Sequence, residues 1–155
     1  MAGWYNKVSR DLSNLPDCIE YFEDELEYAR QHDLQLKGKP IERISAELPG
    51  VVEQRYNQLQ EIEAILEHMN AELRRIRSGV FRKYLEHYNR ALTSRDAEKY
   101  VDGDSEVTDM AMLVNEFALL RNKWLGFHKA LETKNFQINN IVKLRTAGLD
   151  DATIF

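Results

Sequence analysis

Between residues 107 and 146 the apolar side chains return every seven positions. Met110, Phe117, Trp124, Leu131 and Ile138 form one series. Leu113, Leu120, Phe127 and Ile141 follow three behind, and Lys134 breaks that second series. Steps of three and four sustained over more than four heptads predict a long amphipathic helix whose stripe faces another helix. At 1.5 Å per residue such a helix is roughly 60 Å long, while a compact domain of this length has a radius of gyration of about 15 Å. The stripe is therefore expected to overreach the chain's own core. It would join copies of the chain through Met110, Phe117, Trp124, Phe127, Leu131, Phe136, Ile138 and Ile141.

A second heptad run precedes the first. Val52, Leu59, Leu66, Leu73 and Val80 are seven apart, with Ile62, Met69 and Ile76 interleaved, and Phe81, Tyr84, Leu85, Tyr88 and Leu92 continue less regularly. Leu48-Pro49 is expected to start this helix, because Pro suits a first turn. Gly79 should weaken it by about 1 kcal/mol relative to Ala. Earlier still, Asn14 before Pro16 predicts a helix running to about His32. Leu15, Ile19, Phe22, Leu26 and Ala29 line one side of it, and Glu20, Glu23, Asp24, Glu25 and Glu27 the other.

Gly38 and Pro40 mark a connector, and Asp102-Gly103 is a turn signal in a second polar stretch. Ser105 is expected to cap the last helix, with Thr108 at the capping-box position, and Gly148 suits its C-terminal end. The expected order is thus an acidic helix over 1–33, a connector over 34–48 and a basic heptad helix over 49–92. A polar connector over 93–106, an oligomerisation helix over 107–146 and a tail over 147–155 complete it. This is one all-α domain of long amphipathic helices, arranged as a helical hairpin or coiled coil and assembling as a homo-oligomer.

Composition agrees with that class. Apolar residues make up 43% of 155 residues and charged residues 30%, with few Gly or Pro. A single cysteine, Cys18, rules out a disulfide framework and reads as a packed thiol. The first residues lack a basic segment followed by an apolar one, and no apolar run approaches membrane-spanning length, so a soluble cytoplasmic protein without membrane contact is expected.

The net charge of −5 conceals an uneven distribution. Residues 1–73 hold 7 basic and 15 acidic side chains, and residues 100–155 hold 6 and 8. Residues 74–99 hold 8 basic side chains (Arg74, Arg75, Arg77, Arg82, Lys83, Arg90, Arg95, Lys99) against 3 acidic ones. At 100° per residue, Leu73, Ile76 and Val80 centre the inward stripe. Arg74, Arg75 and Arg82 then lie opposite, with Lys83 and Arg90 flanking. Tyr84 and Tyr88, at the edge of the stripe, are candidates for stacking on a nucleobase. The bland alternative is a solvated basic face that pairs with a neighbour's acidic helix.

Catalytic patterns are missing. His32, His68, His87 and His128 are scattered, none follows a carboxylate at Glu-x-x-His spacing, and no HExxH, Walker or GxGxxG motif occurs. Asp102, Asp104 and Glu106 fail the calcium-loop order, since position twelve is Leu113. Neither a metal nor a cofactor is expected, and the chain does not read as an enzyme.

The segment Lys134-Asn135-Phe136-Gln137-Ile138-Asn139-Asn140-Ile141, followed by Leu144-Arg145, resembles the C-terminal helix of UvsY-like recombination mediators of T-even-type phages. So does the order before it: Pro49 with Arg55-Tyr56, then Arg82-Lys83-Tyr84-Leu85-Glu86-His87-Tyr88 closing a basic helix, then a polar connector. The resemblance covers roughly residues 41–148. It implies an all-helical, non-enzymatic protein of the host cytoplasm during infection, forming a homo-oligomeric ring through its C-terminal helices. Such a protein binds single-stranded DNA and helps load the phage recombinase onto strands covered by single-stranded DNA-binding protein. Arg82 matches a DNA-contacting position of the family. Where a second basic residue is expected, the chain has Tyr84, with Lys83 adjacent. Asn89-Arg90 replaces a glycine-containing turn, and the helix before residue 33 is an extension.

Two readings follow. In the first, Arg74, Arg75, Arg77, Arg82, Lys83 and Arg90 hold single-stranded DNA, and oligomerisation repeats that small patch into a continuous track. In the second, the chain is a helical adaptor, assembly chaperone or inhibitor whose basic face meets an acidic protein.

Overall fold

The computed structural model describes residues 3–87 and 91–149. Among them are five α-helices and no strand: α1 (Trp4–Arg10), α2 (Leu15–His32), α3 (Ile41–His87), α4 (Ser94–Gly103) and α5 (Ser105–Thr146). A 3-10 turn, Leu12–Asn14, separates α1 from α2. The expected all-α class is the class observed. The chain divides into two compact units, one of Met1–Ile19 with Glu61–Arg121 and one of Glu20–Gln60 with Asn122–Phe155, so α2, α3 and α5 each supply residues to both.

The first unit is built on the heptad residues of α3. Ile62, Ile65, Leu66 and Met69 are buried, as are Val107, Met110, Val114, Phe117 and Leu120 of α5. Cys18 is fully enclosed, and burial, reinforced by Glu61, pushes its thiol up to about 12. At neutral pH it is a packed, protonated group. The start of α1 lacks a side-chain cap, and Glu61 of α3 compensates by accepting the Tyr5 amide at 3.0 Å.

Residues 94–103, expected as connector, form α4. Thr93 caps it by accepting the Asp96 amide, and only Ala97 and Val101 are buried. Val101 joins Val80 and Val107 in a small cluster flanked by Leu73, Ile76, Phe81 and Tyr84. Asp104, rather than Ser105, caps α5: its Oδ1 accepts the Glu106 amide at 3.0 Å. Ser105 is the first helical residue instead, and the Thr108 hydroxyl turns to the Ser105 carbonyl.

In the second unit α3 begins at Ile41, so Pro49 lies inside the helix and not at its start. Proline removes one backbone hydrogen bond there. The helix continues because Ile44 and Leu48 pack with Ile138 of α5, supported by Leu36, Ile41 and Val52, which fixes the backbone before and after the proline. Trp124 packs edge-on against Phe22 and Phe127, and its Nε1 donates to the Phe22 carbonyl at 3.2 Å.

Two cations are buried in this unit at positions where the stripes ask for apolar residues, Arg55 on α3 and Lys134 on α5. Both reach Asp33, just beyond α2. Arg55 Nε donates to Asp33 Oδ2 at 2.7 Å and Arg55 Nη1 to Glu25 Oε2 at 3.0 Å, while Gln58 accepts from the same Nη1. Lys134 Nζ donates to the Asp33 carbonyl. Burial holds the Lys134 ammonium below its ordinary range, with Asp33 partly opposing that shift.

Observed and expected stripes on α5 differ in detail. The buried partner between Met110 and Phe117 is Val114, while Leu113 faces outward. The buried series 107, 110, 114, 117, 120, 124, 127, 131, 134, 138 contains one extra step of three at 114–117–120, the pattern of a local overwinding. At the far end Gly148, at φ 76°, closes the helix as expected: the Leu149 amide reaches the Leu144 carbonyl and the Gly148 amide the Arg145 carbonyl.

Candidate nucleic-acid interface

The basic stretch of α3 turns its apolar side to the Val80–Val101–Val107 cluster, and helical geometry then sends the cations outward. Arg74, Arg75, Arg77, Arg82 and Lys83 are all exposed. Three of the five are engaged. Arg74 pairs with Glu67 at 3.1 Å, Arg75 with Glu72 at 2.8 Å, and Arg77 with Asp102 of α4 at 2.7 Å. The hydrogen bond from Arg75 holds the Glu72 carboxyl below its ordinary range. These are solvent-exposed pairs, so they cost little to exchange for a phosphate partner. Arg82 and Lys83 make no ion pair among the described residues. Arg90 and Tyr88 lie outside the described residues.

Tyr84 is not an open stacking platform. Its ring stacks on Tyr100 of α4 at 5.4 Å with 25° between planes, and its hydroxyl donates to Asp104 Oδ2 at 3.1 Å. The helix missed in the sequence is the reason, because α4 brings Tyr100 and Asp104 against it. Lys83 Nζ sits 5.9 Å from the Tyr84 ring centre. The same helix adds two exposed cations, Arg95 and Lys99, on the side away from Ala97 and Val101.

The expected seam between copies is largely the chain's own core. Met110, Phe117, Trp124, Phe127, Leu131 and Ile138 are all buried within one chain, so these six do not present a face to a neighbour. Apolar side chains of the other helices cover them, as Phe22 covers Trp124 and Ile44 covers Ile138. Ile141 is half-buried, and Phe136 stands 67% exposed.

Phe136 borders a groove of about 830 Å3 in the second unit. Leu48, Val52 and Tyr56 of α3 and Leu131 of α5 line it, together with Glu53 and Glu132. Nothing in the sequence signalled this hollow, since Val52 and Leu131 belong to stripes that read as core. Among the described residues, no three His, Cys, Asp or Glu side chains gather as a metal site would require, and no helix is long and apolar enough to cross a membrane. Comparison with known protein families, curated proteins and solved structures finds no match for this chain.

Proposed function

We propose that the chain is a non-enzymatic single-stranded DNA-binding recombination mediator, of the kind its C-terminal segment resembles. One observation carries the reading: Arg82 and Lys83 stand exposed on the outward side of α3 and make no ion pair among the described residues, beside three arginines held only by surface pairs. Such a patch gains affinity for a flexible polyanion through counterion release. One copy offers few contacts, so function requires a homo-oligomer that repeats the patch, and the exposed apolar positions late in α5, Phe136, Val142 and Leu144, suit self-association. The partners are single-stranded DNA, the recombinase it loads and the single-stranded DNA-binding protein it displaces.

Fluorescence anisotropy with a short labelled single strand tests this at low salt. Wild type is expected to bind, and Arg82→Ala with Lys83→Ala to bind at least tenfold more weakly. Equal binding by both proteins, or none by either, would remove the proposal.

A second reading, a helical adaptor, is favoured by the apolar groove beside Phe136. It places the partner's amphipathic helix between α3 and α5 and gives the basic stretch of α3 an acidic protein surface, not DNA, to meet. Retention on single-stranded DNA cellulose separates the two, because only the mediator is retained.

A further inference from the structure

We infer that the cleft between α3 and α4 is a seat for one nucleobase of the bound strand and favours cytosine over thymine; this rests on the single-stranded DNA reading above. The cleft, about 290 Å3, is lined by Arg77, Ser78 and Phe81 of α3 and by Glu98 and Val101 of α4. All five residues belong to the first unit. Phe81 and Val101 form its apolar wall, and the half-buried Phe81 ring supplies the kind of surface on which a base stacks. The Arg77–Asp102 pair, at 2.7 Å, ties the two helices together beside the cleft.

Glu98 gives the cleft its chemistry. It is exposed and makes no hydrogen bond or ion pair among the described residues, so its carboxylate is available as a pure acceptor. Cytosine offers it the N4 amino group. Thymine presents the O4 carbonyl at the same edge, which repels a carboxylate. Phosphates flanking the seated base would meet the cations around it. Arg82 adjoins Phe81 in the chain, Arg74 lies one turn before Ser78 and Arg95 one turn before Glu98. The two helices thus divide the work: arginines hold the backbone, and Glu98 with Phe81 reads the base.

Anisotropy with labelled oligo-deoxycytidine and oligo-deoxythymidine strands of equal length tests the seat. Wild type is expected to prefer the cytidine strand about tenfold. Glu98→Ala should bring the ratio to one and strengthen binding of the thymidine strand, because a repelling charge is gone. Phe81→Leu should weaken both strands about tenfold without altering the salt slope. Should that variant lose helicity by circular dichroism, the Glu98→Ala ratio alone decides. Wild-type binding that is salt-sensitive but equal for both strands, or a preference that survives Glu98→Ala, overturns the seat and leaves the strand-binding role intact. Binding to neither strand overturns both.

Discussion

Arg55 and Lys134 occupy heptad positions that would ordinarily hold Leu or Ile, and both donate a hydrogen bond to Asp33. A buried cation is tolerable only when its partners are in place. Here they are, since Glu25 and Gln58 complete the fork of Arg55 and Gln58 also donates to Glu25 at 2.9 Å. Two polar positions meeting at one residue fix the register of α3 and α5 against the end of α2, because a shift of either helix by a turn would strand a charge. Arg55→Met should therefore destabilise the protein by about 3 kcal/mol in urea unfolding, as it removes the buried guanidinium that Asp33, Glu25 and Gln58 share. A loss below roughly 0.5 kcal/mol would mean the pair does not hold the helices. None of this was legible beforehand. Lys134 read as a flaw in a repeat, and its partner lies 101 residues away in sequence.

At the scale of elements, periodicity carried most of the information. The ends of α2 and α5, and the stripe of α3 from Leu59 to Val80, fell where the three-and-four spacing put them, because those helices owe their stability to a continuous apolar face. Two of the departures have local causes. Only Ala97 and Val101 of α4 are buried, too few for any window to register. Pro49 was read as a helix start because propensity favours that position, yet packing of Ile44 and Leu48 on Ile138 outweighs one lost hydrogen bond. Pro49→Ala should consequently raise stability by up to about 3 kcal/mol. Gly79→Ala should add about 1 kcal/mol, since a Cβ at Gly79 meets open space within a helix. Thermal melts followed by circular dichroism check both. A lowered midpoint for Gly79→Ala would show that α3 depends on flexibility at that point.

For the whole molecule, the structure moves the question of assembly from the middle of α5 to its end. A stripe that reads as a seam is equally the signature of a helix buried within its own chain, and sequence spacing cannot distinguish the two. Trp124, with its indole bonded to Phe22, belongs to the core, so Trp124→Asp should abolish folding and say nothing about oligomers. Phe136→Asp with Val142→Asp, at exposed positions, should keep full helicity while lowering the assembled mass in analytical ultracentrifugation. Unchanged mass would contradict self-association through this end of α5. The basic patch was more legible than the seam. Charge clustering and helical geometry located Arg82 and Lys83, whereas Tyr100, Glu98 and Asp104 came into view only with α4.

The salt dependence of single-stranded DNA affinity bears most directly on a strand-binding role. For wild type, the logarithm of the association constant should fall linearly with the logarithm of salt concentration, by about 0.7 for each phosphate neutralised. Removing Arg82 and Lys83 together should shallow that slope by about 1.4. An affinity indifferent to salt, or identical slopes for the two proteins, would contradict the assignment of this face of α3 to DNA.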